Sequence, residues 1–207
     1  LDYYEQMMST IKQKHPDMTI KAFTAAEIFF LSKLTRNSIT EILSRLKDAG
    51  LDSMPGGGAE LFHPGIRTKI IRGKCSGQQW LDTIEVAHNL GIKSNVTMLY
   101  GHIEKPIHIV DHLSKLRNLQ DKTNGFNTFI PLKYRNGKNQ MSHINEGSIN
   151  NDIRLYAFSR IFLDNFDHLK AYWPMIGKKT TQNLLAFGVD DIDGTIDDTT
   201  KIYSMAG

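Results

Sequence analysis

The stretch SMPGGGAELF, Ser53 to Phe62, places three glycines side by side, followed by an acid. Each glycine gives up more backbone freedom on folding than any other residue, and a turn needs only one. The run Gly56-Gly57-Gly58 therefore points to main-chain N–H groups laid open to an anion, or to a ligand resting against bare backbone. A plain corner between a strand and a helix is the other reading. Glu60 would accept a hydrogen bond from a ligand hydroxyl or amine, or else stand as a solvated loop acid. Further along, Tyr100-Gly101-His102-Ile103-Glu104, Ile130-Pro131-Leu132, Tyr172-Trp173-Pro174-Met175 and the acids Asp190, Asp191 and Asp193 ahead of Gly194 repeat a mixture of polar, aromatic and glycine residues. Trp173 suits a stacking wall for an aromatic ligand or a core position. The acids suit a metal or hydrogen bonds to a ligand equally well. His108 and His112 stand four apart on one helix face, but Ile109 follows His108, so the H-E-x-x-H zinc pattern is absent and a surface or packing pair is expected. Cys75 reads as a bystander.

These groups need elements that bring them to one place. Helical periodicity runs over Asp2 to Lys14 and stops before Pro16. Met18 to Thr24 reads as a strand. Thr24 with Glu27, and Ser38 with Glu41, predict two capping boxes, each opening an amphipathic helix. A short strand ends at Met54. Then Ser76 to Gly91, Lys105 to Gly125, Asn145 to Phe166 and Lys178 to Gly188 read as helices. They alternate with strands at Lys93 to Gly101, Phe126 to Tyr134 and His168 to Gly177, and a last short strand runs into Asp190. Six strand–helix units at this spacing predict an α/β fold with a parallel sheet. It is expected to be an incomplete (β/α) TIM-type barrel with about six of the eight units a closed barrel requires. An open doubly wound sheet is the competitor, but it carries a G-x-G-x-x-G near its first strand, which is absent here. In a barrel, chemistry sits where strands end, which is where the groups above fall. The polar run Arg135 to Ser148 reads as a loop on that face.

Composition narrows the class. The chain has 207 residues, 40% hydrophobic and 23% charged, with a net charge of +3 and a single cysteine. Scattered rather than clustered basic residues argue against nucleic acid. No apolar run approaches the roughly 18 residues of a membrane span, and no signal peptide is visible. One cysteine rules out an intrachain disulfide and fits a reducing, cytoplasmic setting. The sequence opens at Leu1 in mid-helix, so residues 1–207 are expected to be the C-terminal portion of a longer barrel. The unpaired sheet edge so exposed predicts pairing with a second copy, a homodimer.

Five segments, MPGGGAELF, SNVTMLYGHIE, VDHLSKLRNLQDKTNGFNTFIPL, FSRIFLDNFDHLKAYWPMIGKK and FGVDDIDGTIDDTTKIYSMAG, together resemble the menaquinone-pathway group of radical S-adenosylmethionine enzymes over nearly the whole chain. The resemblance implies a transferase of the futalosine pathway. A [4Fe-4S] iron-sulfur cluster cleaves S-adenosyl-L-methionine, and the 5′-deoxyadenosyl radical adds to 3-[(1-carboxyvinyl)oxy]benzoate to give 6-amino-6-deoxyfutalosine. A sibling of the same group cyclises a dehypoxanthine futalosine instead, and a catalytically silent binding fragment of the same fold is a third reading. The superfamily's G-x-I-x-G-x-x-E strand aligns with TMLYGHIE, with Thr97 and Leu99 in its first two places and Gly101 and Glu104 in the last two. The resemblance implies cofactor contacts from Gly56, Gly57, Gly58, Glu60, Thr97, Tyr100, Gly101 and Ile130. It implies partners for the substrate carboxylates at Arg67 and Arg72, and an opposite wall from Trp173, Asp191 and Asp193. The family's C-x-x-x-C-x-x-C cluster loop is not among these residues, so the cluster ligands are expected outside them and this segment alone is expected to be inactive.

Overall fold

A computed structural model describes residues 1–71, 73–137 and 141–193. Five parallel strands form one sheet in the order of the chain, β1 (Ser53–Met54), β2 (Lys93–Tyr100), β3 (Phe126–Lys133), β4 (His168–Ala171) and β5 (Asp191–Ile192). Because sequence neighbours are also sheet neighbours, the order never reverses, unlike the doubly wound alternative. Nine α-helices are described: α1 (Asp2–Lys14), α2 (Ala25–Thr35), α3 (Ile39–Asp48), α4 (Pro64–Ile70), α5 (Gly77–Asn89), α6 (Pro106–Thr123), α7 (Ile149–Phe162), α8 (Trp173–Ile176) and α9 (Lys178–Leu184). Helices α5, α6 and α7 are the crossovers that parallel pairing demands. No helix among the described residues is long and apolar enough to cross a membrane.

Local chemistry explains most boundaries. Thr24 Oγ1 accepts from the Glu27 N–H at 3.2 Å, and Glu27 Oε2 accepts from the Thr24 N–H at 2.7 Å, a complete capping box on α2. On α3 only half the expected box forms. Ser38 Oγ accepts from the Glu41 N–H, but the Glu41 carboxylate takes the Asn37 amide instead. Ser76 and Gln79 complete a reciprocal box on α5. The expected strand at Met18 to Thr24 reduces to one bridge, Lys21 to Ser53, beside β1. Phe23 turns to positive φ and Thr24 opens a helix, so pairing cannot continue. The strand expected through Gly177 stops at Ala171, because Trp173-Pro174 starts α8 with proline in the first turn.

Side-chain alternation along β2 and β3 divides the sheet into two faces. Val96, Met98 and Phe129, all fully buried, face the crossover helices and pack in the core with Ile84 and Ala87 of α5, Leu113 and Leu116 of α6 and Tyr156 of α7. The alternate positions are Thr97, Leu99, Ile130 and Leu132, in the register Thr97 to Ile130 and Leu99 to Leu132. They form the other face, and Lys170 on β4 continues it beside Asp191 of β5.

Candidate functional site

The glycine run leaves β1 and lies across the middle of β2. A Cβ on Gly56 would sit 2.6 Å from the Val96 Cα, so the chain passes here only without a side chain, and Thr97 Oγ1 donates to the Gly56 carbonyl at 2.8 Å. Gly58 has φ +84°, a conformation that favours glycine. The loop's carbonyls are consumed by protein donors. Trp80 Nε1 donates to Gly57 O at 3.1 Å, and the Arg67 guanidinium donates to Gly58 O at 2.8 Å, Ala59 O at 2.6 Å and twice to Cys75 O. The N–H groups of Gly57, Gly58 and Glu60 have no hydrogen-bond partner among the described residues. One polarity of the loop is thus fixed and the other left available, the arrangement of a main-chain donor site.

Glu60 adopts φ +41°, a costly conformation for this residue type. It is held because the Leu99 N–H donates to the Glu60 carbonyl at 2.8 Å and Lys74 Nζ lies 3.2 Å from its carboxylate. Loop and strands border a cleft of about 750 Å³ whose walls include Phe29 and Phe30 of α2, Gly57, Gly58, Glu60, Lys74, Thr97 and Leu132. The volume lies in the range of small-molecule and cofactor sites.

The Leu99-to-Glu60 bond also fixes the larger geometry. It brings the turn after β1 against the C-terminal part of β2, so the Gly56–Glu60 and Gly101–Glu104 turns lie at the same end of the sheet. The second turn is self-contained. The Gly101 and His102 N–H groups donate to the Glu104 carboxylate at 2.5 and 2.8 Å, and His102 Nε2 donates to the Leu99 carbonyl at 3.1 Å.

The other expected site residues divide. Thr97 lines the cleft, and Ile130 pairs with it on the same face but is buried below the opening. Tyr100 lies on the opposite face, an odd number of residues from Thr97, and its hydroxyl donates to buried Asp152 at 3.1 Å. Its side chain therefore does not meet the glycine-loop cleft. Arg67, expected at a substrate carboxylate, is 5% exposed with its guanidinium engaged on loop carbonyls. Burial also pulls its pKa down, and its work in this structure is to hold the loop. Arg72 and the run from Gly194 onward lie outside the described residues. Trp173 and Asp193 border a separate cleft of about 300 Å³ that shares no lining residue with the first. Asp191 and Asp193 both pair with Lys170, at 3.1 and 2.9 Å. Their carboxylates are thus occupied by Lys170, a cation not among the expected site residues, although a lysine between apolar strand neighbours is a visible signal. His112 is a packing residue, as expected. It stacks on Phe62 at 4.1 Å between ring centres, and burial pushes its pKa down to about 3. Among the described residues no three His, Cys, Asp or Glu side chains gather as a metal site.

Residues 123–207 match the family described as the CofH/MqnC C-terminal region. The CofH/MqnC match starts at the end of α6 and takes in β3 to β5, while likeness to individual proteins extends over the rest. The chain is 44% identical over 209 residues to the aminodeoxyfutalosine synthase of Thermus thermophilus, covering 99% of this chain and 56% of that protein. It is 36% identical to the cyclic dehypoxanthine futalosine synthase of Streptomyces coelicolor, covering 100% of this chain and 52% of the relative. It is 35% identical to a 5-amino-6-(D-ribitylamino)uracil–L-tyrosine 4-hydroxyphenyl transferase of Methanosarcina barkeri, covering 95% and 54%. The chain thus spans about half the length of the curated relatives it matches.

Proposed function

We propose that this chain is the C-terminal part of a radical S-adenosylmethionine transferase that makes 6-amino-6-deoxyfutalosine from 3-[(1-carboxyvinyl)oxy]benzoate, and that its parallel sheet is an arc of a TIM-type barrel. The observation that carries the reading is the glycine loop at the C-terminal edge of that sheet, with its carbonyls tied down and its N–H groups left for a ligand. The Thermus relative at 44% identity directs the choice of reaction.

The cleft suits S-adenosylmethionine in its donors and in its walls. The Gly57 and Gly58 N–H groups would receive the carboxylate of the methionine part, and Glu60 its ammonium. Thr97, Leu132 and the rings of Phe29 and Phe30 would flank the apolar and aromatic parts. When bound, this cofactor supplies the 5′-deoxyadenosyl group that adds to the enol-ether double bond. The protein's share is orientation and the exclusion of competing partners for a reactive group. Arg67 and Trp80 keep the loop's polarity fixed. The substrate's carboxylates fall to cations bordering the cleft, Lys33 and Lys74, together with Arg72. A [4Fe-4S] cluster does not fit the described residues. Its ligation needs several thiolates, whereas Cys75 is the one cysteine of the sequence and is buried. In this reading the cluster ligands lie outside these 207 residues.

The test is a product assay on the complete protein, supplied with S-adenosylmethionine, reductant and either the enolpyruvyl benzoate or dehypoxanthine futalosine. A product with the mass of 6-amino-6-deoxyfutalosine is expected from the first. Turnover of the second alone would assign the cyclising reaction of the Streptomyces relative instead. Gly57→Val, whose added methyls enter the cleft, is expected to abolish binding of S-adenosylmethionine in calorimetry with an unchanged far-ultraviolet spectrum. Retained affinity would remove the loop from the site.

A further inference from the structure

The sheet has a second pocket on its other face. It has a volume of about 480 Å³, lies between α6 and α7 at the C-terminal ends of β2 and β3, and shares no lining residue with the glycine-loop cleft. Val110, Ile109, Leu155 and Phe158 form apolar walls around the ring of Tyr100. The space exists partly because Gly101 and Gly147 border it without side chains, with nothing within 4 Å of where a Gly101 Cβ would stand.

Charge at this pocket is one-sided. Its two acids are already engaged. Asp152 on the floor, 1% exposed, accepts from Lys133 Nζ at 2.7 Å and from the Tyr100 hydroxyl at 3.1 Å. Glu104 caps the amides of its own turn. Its two cations are not engaged. Arg154 and Lys105, both exposed at the rim, form no ion pair among the described residues. An apolar slot with a closed, charge-balanced floor and an unmatched positive mouth selects a molecule with a hydrophobic body and a single anionic end.

We propose that the pocket between α6 and α7 binds a small apolar carboxylate, its hydrophobic body between Val110, Leu155 and Phe158 and its carboxylate at Arg154 and Lys105. The floor excludes the reverse orientation, since a carboxylate there would meet Asp152 in a buried setting. The proposal is independent of the reaction proposed above.

The experiment uses 2-naphthoate and its neutral isostere 2-naphthamide, titrated into the complete protein by calorimetry and ligand-observed NMR. Naphthoate is expected to bind with a Kd of about 1 mM or tighter, and the amide about tenfold more weakly. Arg154→Glu, a surface change, is expected to weaken naphthoate by about tenfold at an unchanged melting temperature. Val110→Trp fills the slot and is expected to abolish binding. Phe158→Glu, at a half-exposed wall position, repels the anion and serves the same purpose where the tryptophan variant does not fold. Equal affinity for acid and amide, an Arg154→Glu variant that binds as the parent does, or no saturable binding at about 10 mM would each overturn the proposal.

Discussion

Arg67 donates to the carbonyls of Gly58, Ala59 and Cys75 from a buried position, so its removal strands several main-chain acceptors at once. Arg67→Met keeps the volume and loses the donors. It is expected to destabilise the protein by on the order of 3 kcal/mol in urea unfolding, whereas Lys74→Met, at a half-exposed ion pair, is expected to change stability by less than about 1 kcal/mol. Gly56→Ala places a methyl against the β2 backbone and is expected to cost about 2 kcal/mol by the same measurement, with the loop displaced from Thr97. The need for glycine was legible in the sequence, because three in succession are unfavourable without a local cause. The role of Arg67 was not. Its partners are backbone carbonyls, which have no sequence signature, so an arginine just after a glycine loop reads the same whether it meets a substrate or the loop itself.

Among the elements, α7 is fastened to the strand ends by a buried charge pair. Lys133 on β3 is bonded to Asp152 on α7, and Tyr100 on β2 completes the set. Burial pushes the Asp152 carboxyl above its usual range, partly offset by Lys133. Asp152→Ala leaves a buried ammonium alone and is expected to cost about 3–5 kcal/mol. The double change Lys133→Met with Asp152→Leu is expected to recover most of that in denaturant unfolding, since desolvating the pair consumes much of its attraction. Helix caps were readable because they depend on two residues three apart. Helix α4 was missed although Pro64 at its start was a fair signal, and the strand expected at Met18 to Thr24 shrank because Phe23 and Thr24 turn the chain. Tyr100 was assigned to the cofactor side from a pattern that names positions. Strand alternation, which assigns faces, separates it from Thr97.

Across the whole molecule, two buried histidines link stability to acid. His88, bonded through its two ring nitrogens to Thr123 and Ser94, is depressed to about 4, and His112 to about 3, both chiefly by burial. In the unfolded chain each takes up a proton near its ordinary value of about 6.5. Their stabilising contribution is therefore complete above that pH and is lost as pH falls toward their folded-state values, because the unfolded state then holds more protons. Between about pH 5.5 and 4.5 the two together contribute a slope approaching about 2.7 kcal/mol per pH unit, measurable as a falling urea midpoint. Replacing His88 with glutamine, which keeps a polar group near Ser94, is expected to remove about half of that slope.

One strand separates two chambers. Thr97 lines the glycine-loop cleft and Tyr100 the second pocket, and strand alternation puts the odd-numbered positions on the first side of the sheet and the even-numbered ones on the helical side. A saturation library tiled along Asn95 to Tyr100 should therefore sort into two interleaved classes of phenotype. A single-residue deletion there would exchange the occupants of the chambers and silence both, so this stretch should tolerate substitution far better than a change of length.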